Sequence, residues 1–178
     1  MRCFRERTVH QGHMETTREI TEQQALQRLA ALCSRGEHCT GELRDKLRRW
    51  QLDDDAQQRI LQYLTDHRYV DDERYCRLFI RDKMQFNKWG RRKIEQALWG
   101  KHVDETISRP LLDEISTDEW CALLQPLLKG KRRGLKAASP YEADMKLLKF
   151  AVSRGFTMDV IRACLHTDTL DCDDDEAY

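Results

Sequence analysis

YVDDERYCRLFIRDKMQFNKWGRRKIEQALWGKHV, residues 69–103, reads as two helices joined by a turn. Tyr75, Phe79 and Phe86 recur on one face at the helical period, and Asp71 or Asp72 precedes them as an N-cap whose short carboxylate can accept the orphan N–H groups of a first turn. After Trp89-Gly90 the period resumes with Ile94, Leu98 and Val103. Arg91, Arg92 and Lys93 crowd the start of that second helix, where the helix dipole favours negative charge. Cations kept at such a place suggest a partner that needs them.

The same apolar positions recur along the chain. A shift of 51 carries Leu43, Leu47, Leu52, Ala56 and Ile60 onto Ile94, Leu98, Val103, Ile107 and Leu111; a further 53 gives Leu147, Ala151, Phe156, Val160 and Cys164. The capping residue obeys the same shifts, from Asp53 to Asp104 to Thr157. Thr21-Glu22-Gln23-Gln24, Ser116-Thr117-Asp118-Glu119 and Ser139-Pro140-Tyr141-Glu142 have the capping-box form, the last with proline at the first helical position. These signals predict an all-α fold of three tandem three-helix repeats in an elongated, curved array. The expected divisions are a flexible segment over 1–20, repeats over 21–68, 69–115 and 116–167, and a disordered acidic tail over 168–178. Pro110 and Pro126 are expected to kink or shorten their helices, and residues 129–136 to form a glycine-punctuated basic loop.

Charged residues make up 35% of the 178 positions, with three prolines and eight glycines, which favours a helical protein over a β-sandwich. No apolar run reaches about 18 residues and the N-terminus lacks an apolar signal core, so a cytoplasmic protein is expected. Seven scattered cysteines form neither a disulfide framework nor a paired zinc motif. The zero net charge hides an asymmetry. From Asp168 onward there are six acids and no base, whereas residues 21–167 hold 27 bases against 22 acids. A basic body suits a polyanionic partner, with the tail as an internal competitor.

Catalytic chemistry has no carrier in this sequence. Gly36 and Gly41 have the outer spacing of a phosphate loop, but Glu42-Leu43 stands where Lys-Ser/Thr is required. Asp53-Asp54-Asp55 and Asp71-Asp72-Glu73 sit where helix starts favour acids, and the six histidines share no metal-ligand spacing. A non-enzymatic protein without cofactor or metal is expected. The four tryptophans read as packing anchors, with Trp89 the exception because Lys88, Arg91 and Arg92 surround it. Residues 77–101 carry eight bases against two acids, and residues 129–136 carry five bases and no acid. The expected partner-binding residues are Lys88, Trp89, Arg91, Arg92, Lys93, Lys131, Arg132 and Arg133, on one shared surface.

Tyr69 to Tyr75, then Gly90-Arg91-Arg92-Lys93-Ile94 with Leu98 and Val103, resembles the RecX family of bacterial recombinase regulators. Cys39 to Leu47 is similar to that family's first-repeat Ser-x-x-Glu-Leu-x-x-Lys-Leu, and Ser153-Arg154-Gly155-Phe156 to its third-repeat ending. The resemblance spans about residues 22–166. Cys39 replaces the usual capping serine, which weakens one helix start; Val70 replaces leucine, and the acidic tail is an addition. What the resemblance implies is a protein that binds the RecA–single-stranded DNA filament in its groove and limits filament growth, ATP hydrolysis, strand exchange and coprotease action; terminal repeats with polar outer faces would suit a monomer. The alternatives are a direct nucleic-acid-binding protein with helix-turn-helix-like units, and a helical adaptor whose cations only solvate it.

Overall fold

A computed structural model describes residues 20–170, with side chains through Leu165. Among the described residues there are nine helices and no strand: α1 (Glu22–Cys33), α2 (Thr40–Arg49), α3 (Asp54–Asp66), α4 (Asp72–Gln85), α5 (Arg91–Trp99), α6 (Glu105–Asp113), α7 (Thr117–Arg133), α8 (Pro140–Ser153) and α9 (Met158–Leu170). They pack in threes, α1 and α2 on α3, α4 and α5 on α6, and α7 and α8 on α9. The segment 1–19 and the tail residues 171–178 lie outside the described residues. Residues 168–170, where the disordered tail was expected to begin, instead complete α9.

The repeated positions form the core. Of the fifteen, thirteen are buried, and Leu52 and Ile107 are partly so. Ala25, Leu29, Leu43, Leu47, Ile60, Leu61, Leu64 and Val70 make a core of the first unit alone. The second and third units share one continuous core, joined by Cys39 of the first, in which Trp120 meets Phe156 edge-on with ring centroids 6.4 Å apart. Asp53 and Asp71 accept the backbone N–H groups of Ala56 and Arg74, while Thr21 and Ser116 form complete capping boxes. Ser139 caps Glu142, but Glu142 reaches back one residue further, to the N–H of Ala138.

Two expectations fail here for identifiable reasons. Phe86 is 77% exposed, because α4 ends at Gln85 and leaves Phe86 beyond the buried stripe. Residues 129–133 are helical rather than a loop. Trp120, Leu124 and Leu128 bury one face of α7, and Pro126 lies exposed on the other, so packing carries the helix through its proline and through Gly130. Lys131, Arg132 and Arg133 therefore occupy a last turn, where the dipole favours cations.

The second helix of each unit ends the same way. Gln51, His102 and Gly155 have φ of 59°, 57° and 91°, and the next residue's N–H reaches back to Leu47, Leu98 and Ala151 at 3.4, 3.2 and 3.2 Å. Each of the later two turns abuts the preceding unit. The turn at Lys101–His102 lies so close to Gly41 that a Cβ there would overlap the Lys101 carbonyl. At the next junction Gly90 and Arg92 donate their N–H groups to the carbonyls of Arg154 and Gly155, both at 2.9 Å. A Cβ on Gly90 would overlap the backbone of Gly155 and Phe156, and one on Gly155 would sit 2.5 Å from the Cβ of Lys93.

Side chains tighten the first junction. Cys39, the N-cap of α2, makes no side-chain capping bond, but Asp72 of α4 accepts both the backbone N–H (2.7 Å) and the hydroxyl of Thr40. The vacant serine position is thus served from the next unit. Glu42 accepts hydrogen bonds from Lys101, His38 and, at 3.4 Å, Tyr75. Burial alone raises its pKa, but the bonds from Lys101 and His38 outweigh that and hold the carboxyl below its ordinary value of 4.5. Burial pushes the Tyr75 phenol and the Cys76 thiol up to about 12, so both stay neutral.

Gly90→Ala is expected to destabilise the protein by about 2–3 kcal/mol through backbone overlap, lowering the melting temperature by roughly 5–10 °C. Gly36→Ala, at a position with open space around it, should melt like the parent in the same calorimetric series. Because the Glu42 carboxyl is depressed on folding, its contribution is complete above its ordinary pKa and fades as pH falls below it. Glu42→Gln should accordingly flatten the acid limb of a stability-versus-pH profile below about pH 4.5.

Candidate nucleic-acid interface

Cations and rings alternate across the second and third units. Starting at the first junction, Lys101 Nζ lies 5.9 Å from the Tyr75 centroid and 5.7 Å from that of Phe79. Lys83 Nζ spans Phe79 and Trp89 at 5.0 and 5.8 Å, and Lys93 Nζ covers Trp89 at 5.0 Å. Arg154 then crosses between units, donating to the Asn87 carbonyl at 3.2 Å with its guanidinium 5.4 Å from the Phe150 centroid. Lys131 closes the series over the same ring at 5.6 Å. The two basic clusters are therefore joined into one band, in which Lys83 also pairs with Asp82 at 2.9 Å and Lys101 with Glu42.

The folding of the α4–α5 turn sets this band. Lys88 takes φ 54°, which lets the Trp89 N–H reach the Lys83 carbonyl at 3.1 Å and tucks the indole partly into the shared core. Gly90 then starts α5 without a capping side chain, and its first N–H groups point at the carbonyl end of α8. That end carries the negative pole of the α8 dipole. The cations on α5 therefore sit beside two opposed helix ends, and their electrostatic cost is smaller than the sequence implies.

The expected residues divide on this ground. Trp89, Lys93 and Lys131 lie in the band, and Lys88 and Arg92 adjoin Trp89 and Lys93 in the chain. Arg91 does not: it is only 26% exposed, pairs with Glu95 of its own helix at 2.7 Å and ties α5 to α6 through Asp113 at 2.6 Å. Arg132 faces Asp144 at 3.4 Å, and the side chain of Arg133 is exposed. Sequence reasoning missed Lys83, Lys101, Phe150 and Arg154. One signal for Arg154 was present, since the 53-residue shift aligns it with Lys101 immediately before the left-handed turn residue of each unit. The tryptophan expectation also changes: Trp89 is partly packed, whereas Trp99 is 79% exposed.

Fold and band together define an all-α tandem-repeat protein of three-helix units that presents interleaved cations and aromatic rings across two of them. Among the described residues no three His, Cys, Asp or Glu side chains converge on a metal position, and no helix is long and apolar enough to cross a membrane. Family models for the second and third three-helix domains of RecX match residues 71–109 and 117–165. Regulatory protein RecX of Acinetobacter baylyi is 30% identical over 155 residues, 86% of this chain and 94% of that protein. The same-named protein of Clostridium perfringens strain 13 is 32% identical over 120 residues, 66% of this chain; the match spans 56% of that longer protein. The crystal structure of RecX from Lactobacillus salivarius shares the fold with a TM-score of 0.79 at 19% identity, over 84% of this chain and 97% of that one. The chain belongs to the RecX family, whose named relatives are regulatory proteins.

Arg91→Glu would set three carboxylates together at a partly buried site. We expect a loss of about 2 kcal/mol, read as a lower melting temperature. Arg92→Glu, at an exposed side chain, should melt within about 0.5 kcal/mol of the parent.

Proposed function

We propose that this protein is a non-enzymatic cytoplasmic regulator, monomeric in solution, that binds the RecA–single-stranded DNA filament along its groove. Bound there, it limits filament extension and the filament's ATPase, strand-exchange and coprotease activities. The observation that carries this reading is the continuity of the band from Lys101 to Lys131 across two repeats. A row of cations held at intervals on a stacked array matches a long, regularly charged polymer better than it matches a compact ligand.

The same geometry favours a filament over bare single-stranded nucleic acid. Base stacking needs open ring faces, but Tyr75 is buried, Phe79 and Trp89 pack against the shared core, and Lys83, Lys93 and Lys101 lie over these rings. The rings position the cations rather than offering themselves to bases. Contact with single- or double-stranded DNA by itself is then weak and sensitive to salt.

Binding of the full chain to a RecA filament, to bare single-stranded DNA and to duplex tests this directly. The filament should be preferred, and the paired change Arg92→Glu with Lys93→Glu, or Lys131→Glu with Arg133→Glu, should weaken filament binding and inhibition about tenfold at moderate salt and less at high salt. Equal affinity of the parent for bare DNA and filament would instead favour the direct nucleic-acid-binding alternative.

A further inference from the structure

Trp99 closes α5 with its indole 79% exposed. Five other rings, Trp50, Tyr75, Phe79, Trp89 and Phe150, each have a lysine or arginine of this chain within 6 Å of the centroid; Trp99 has none among the described residues. It stands over a groove of about 490 Å³ between α5 and α6, with Val103 and Ser108 buried in its floor and Glu95 and Glu105 at its rim. The one cation lining this groove, Arg109, pairs with Glu105 at 3.4 Å. Glu95 is engaged by Arg91, which also holds Asp113. Counting Glu95, Glu105 and Arg109, the lining is acidic, opposite in sign to the band.

We infer that the Trp99 groove takes a lysine or arginine side chain from the protein component of the partner, seated on the indole face beside the carboxylates of Glu95 and Glu105. An electron-rich ring left open next to carboxylates attracts a cation by its quadrupole and by simple charge, and a phosphate strand is repelled from the same place. The two surfaces thereby divide a nucleoprotein between them. The band meets phosphate and the groove meets polypeptide. This inference rests on the filament reading above, which supplies a partner having both chemistries.

The experiment has two arms, both on the full chain. In the first, Trp99→Ala and Glu105→Gln are compared with the parent for binding to the RecA filament and to bare single-stranded DNA. Each change should weaken filament binding about fivefold to tenfold, leave bare-DNA binding and melting temperature unaltered, and be partly rescued by Trp99→Phe. Unchanged filament binding, or a parallel loss on bare DNA that marks base stacking, would overturn the inference. In the second arm the indole N–H resonance of Trp99, assigned by its absence from Trp99→Phe, is followed while a tri-arginine peptide is added. The resonance should move with tri-arginine, less so in Glu105→Gln, and stay still with tri-glutamine. An unmoved resonance, or one that shifts with protein concentration alone because a second copy fills the groove, would sink it. If the parent itself fails to bind the filament, the proposed function falls and the tri-arginine titration alone decides the groove.

Discussion

The close approach of backbone to backbone at the unit junctions is the constraint on which the rest of the structure depends. At Gly41 and Gly90 the start of one second helix lies against the final turn of the next unit's second helix, with no room for even a methyl group. Only there can the carbonyls of Arg154 and Gly155 satisfy N–H groups that Gly90 cannot cap. The contact also brings the carbonyl end of α8 to the first N–H groups of α5 and Arg154 to Asn87. At that approach Arg154 carries the cationic band from the second unit to the third.

Charge on this protein works at two depths. Glu42 with Lys101, and Arg91 with Glu95 and Asp113, are partly buried and join elements; their value lies in fixing one register between helices. Lys93 over Trp89 and Lys131 over Phe150 work differently, because the ring restrains the side chain while no carboxylate among the described residues pairs with the ammonium. Such restraint lowers the entropy a long side chain loses on meeting an anion. Lys93, set on Trp89, is better prepared for binding than an unsupported lysine of equal charge.

Much of this was legible in the sequence because burial imposes period. The shifts of 51 and 53 marked fifteen core positions, and Asp53 and Asp104 were readable as caps since capping is local. What stayed hidden was whatever depends on a residue's neighbours in space. Pro126 and Gly130 looked like helix breakers, yet Trp120, Leu124 and Leu128 hold α7 in place. Arg91 looked like its neighbours Arg92 and Lys93 until Asp113 arrived from another helix. Trp89 and Trp99 each precede a glycine and differ only in what packs beside them, which spacing does not encode.

The way the three second helices begin bears on how the chain is made. α2 and α5 start without a side-chain cap and are finished by the following unit, through Asp72 in one case and Arg154 and Gly155 in the other. α8 has no later unit among the described residues, and it carries its own device, Ser139 with proline next to it. A polypeptide emerging from the ribosome therefore exposes each of the first two helix starts before the residues that complete it exist. Capping in this array therefore runs backward along the chain: α8 caps itself, whereas the starts of α2 and α5 wait for residues of the next unit.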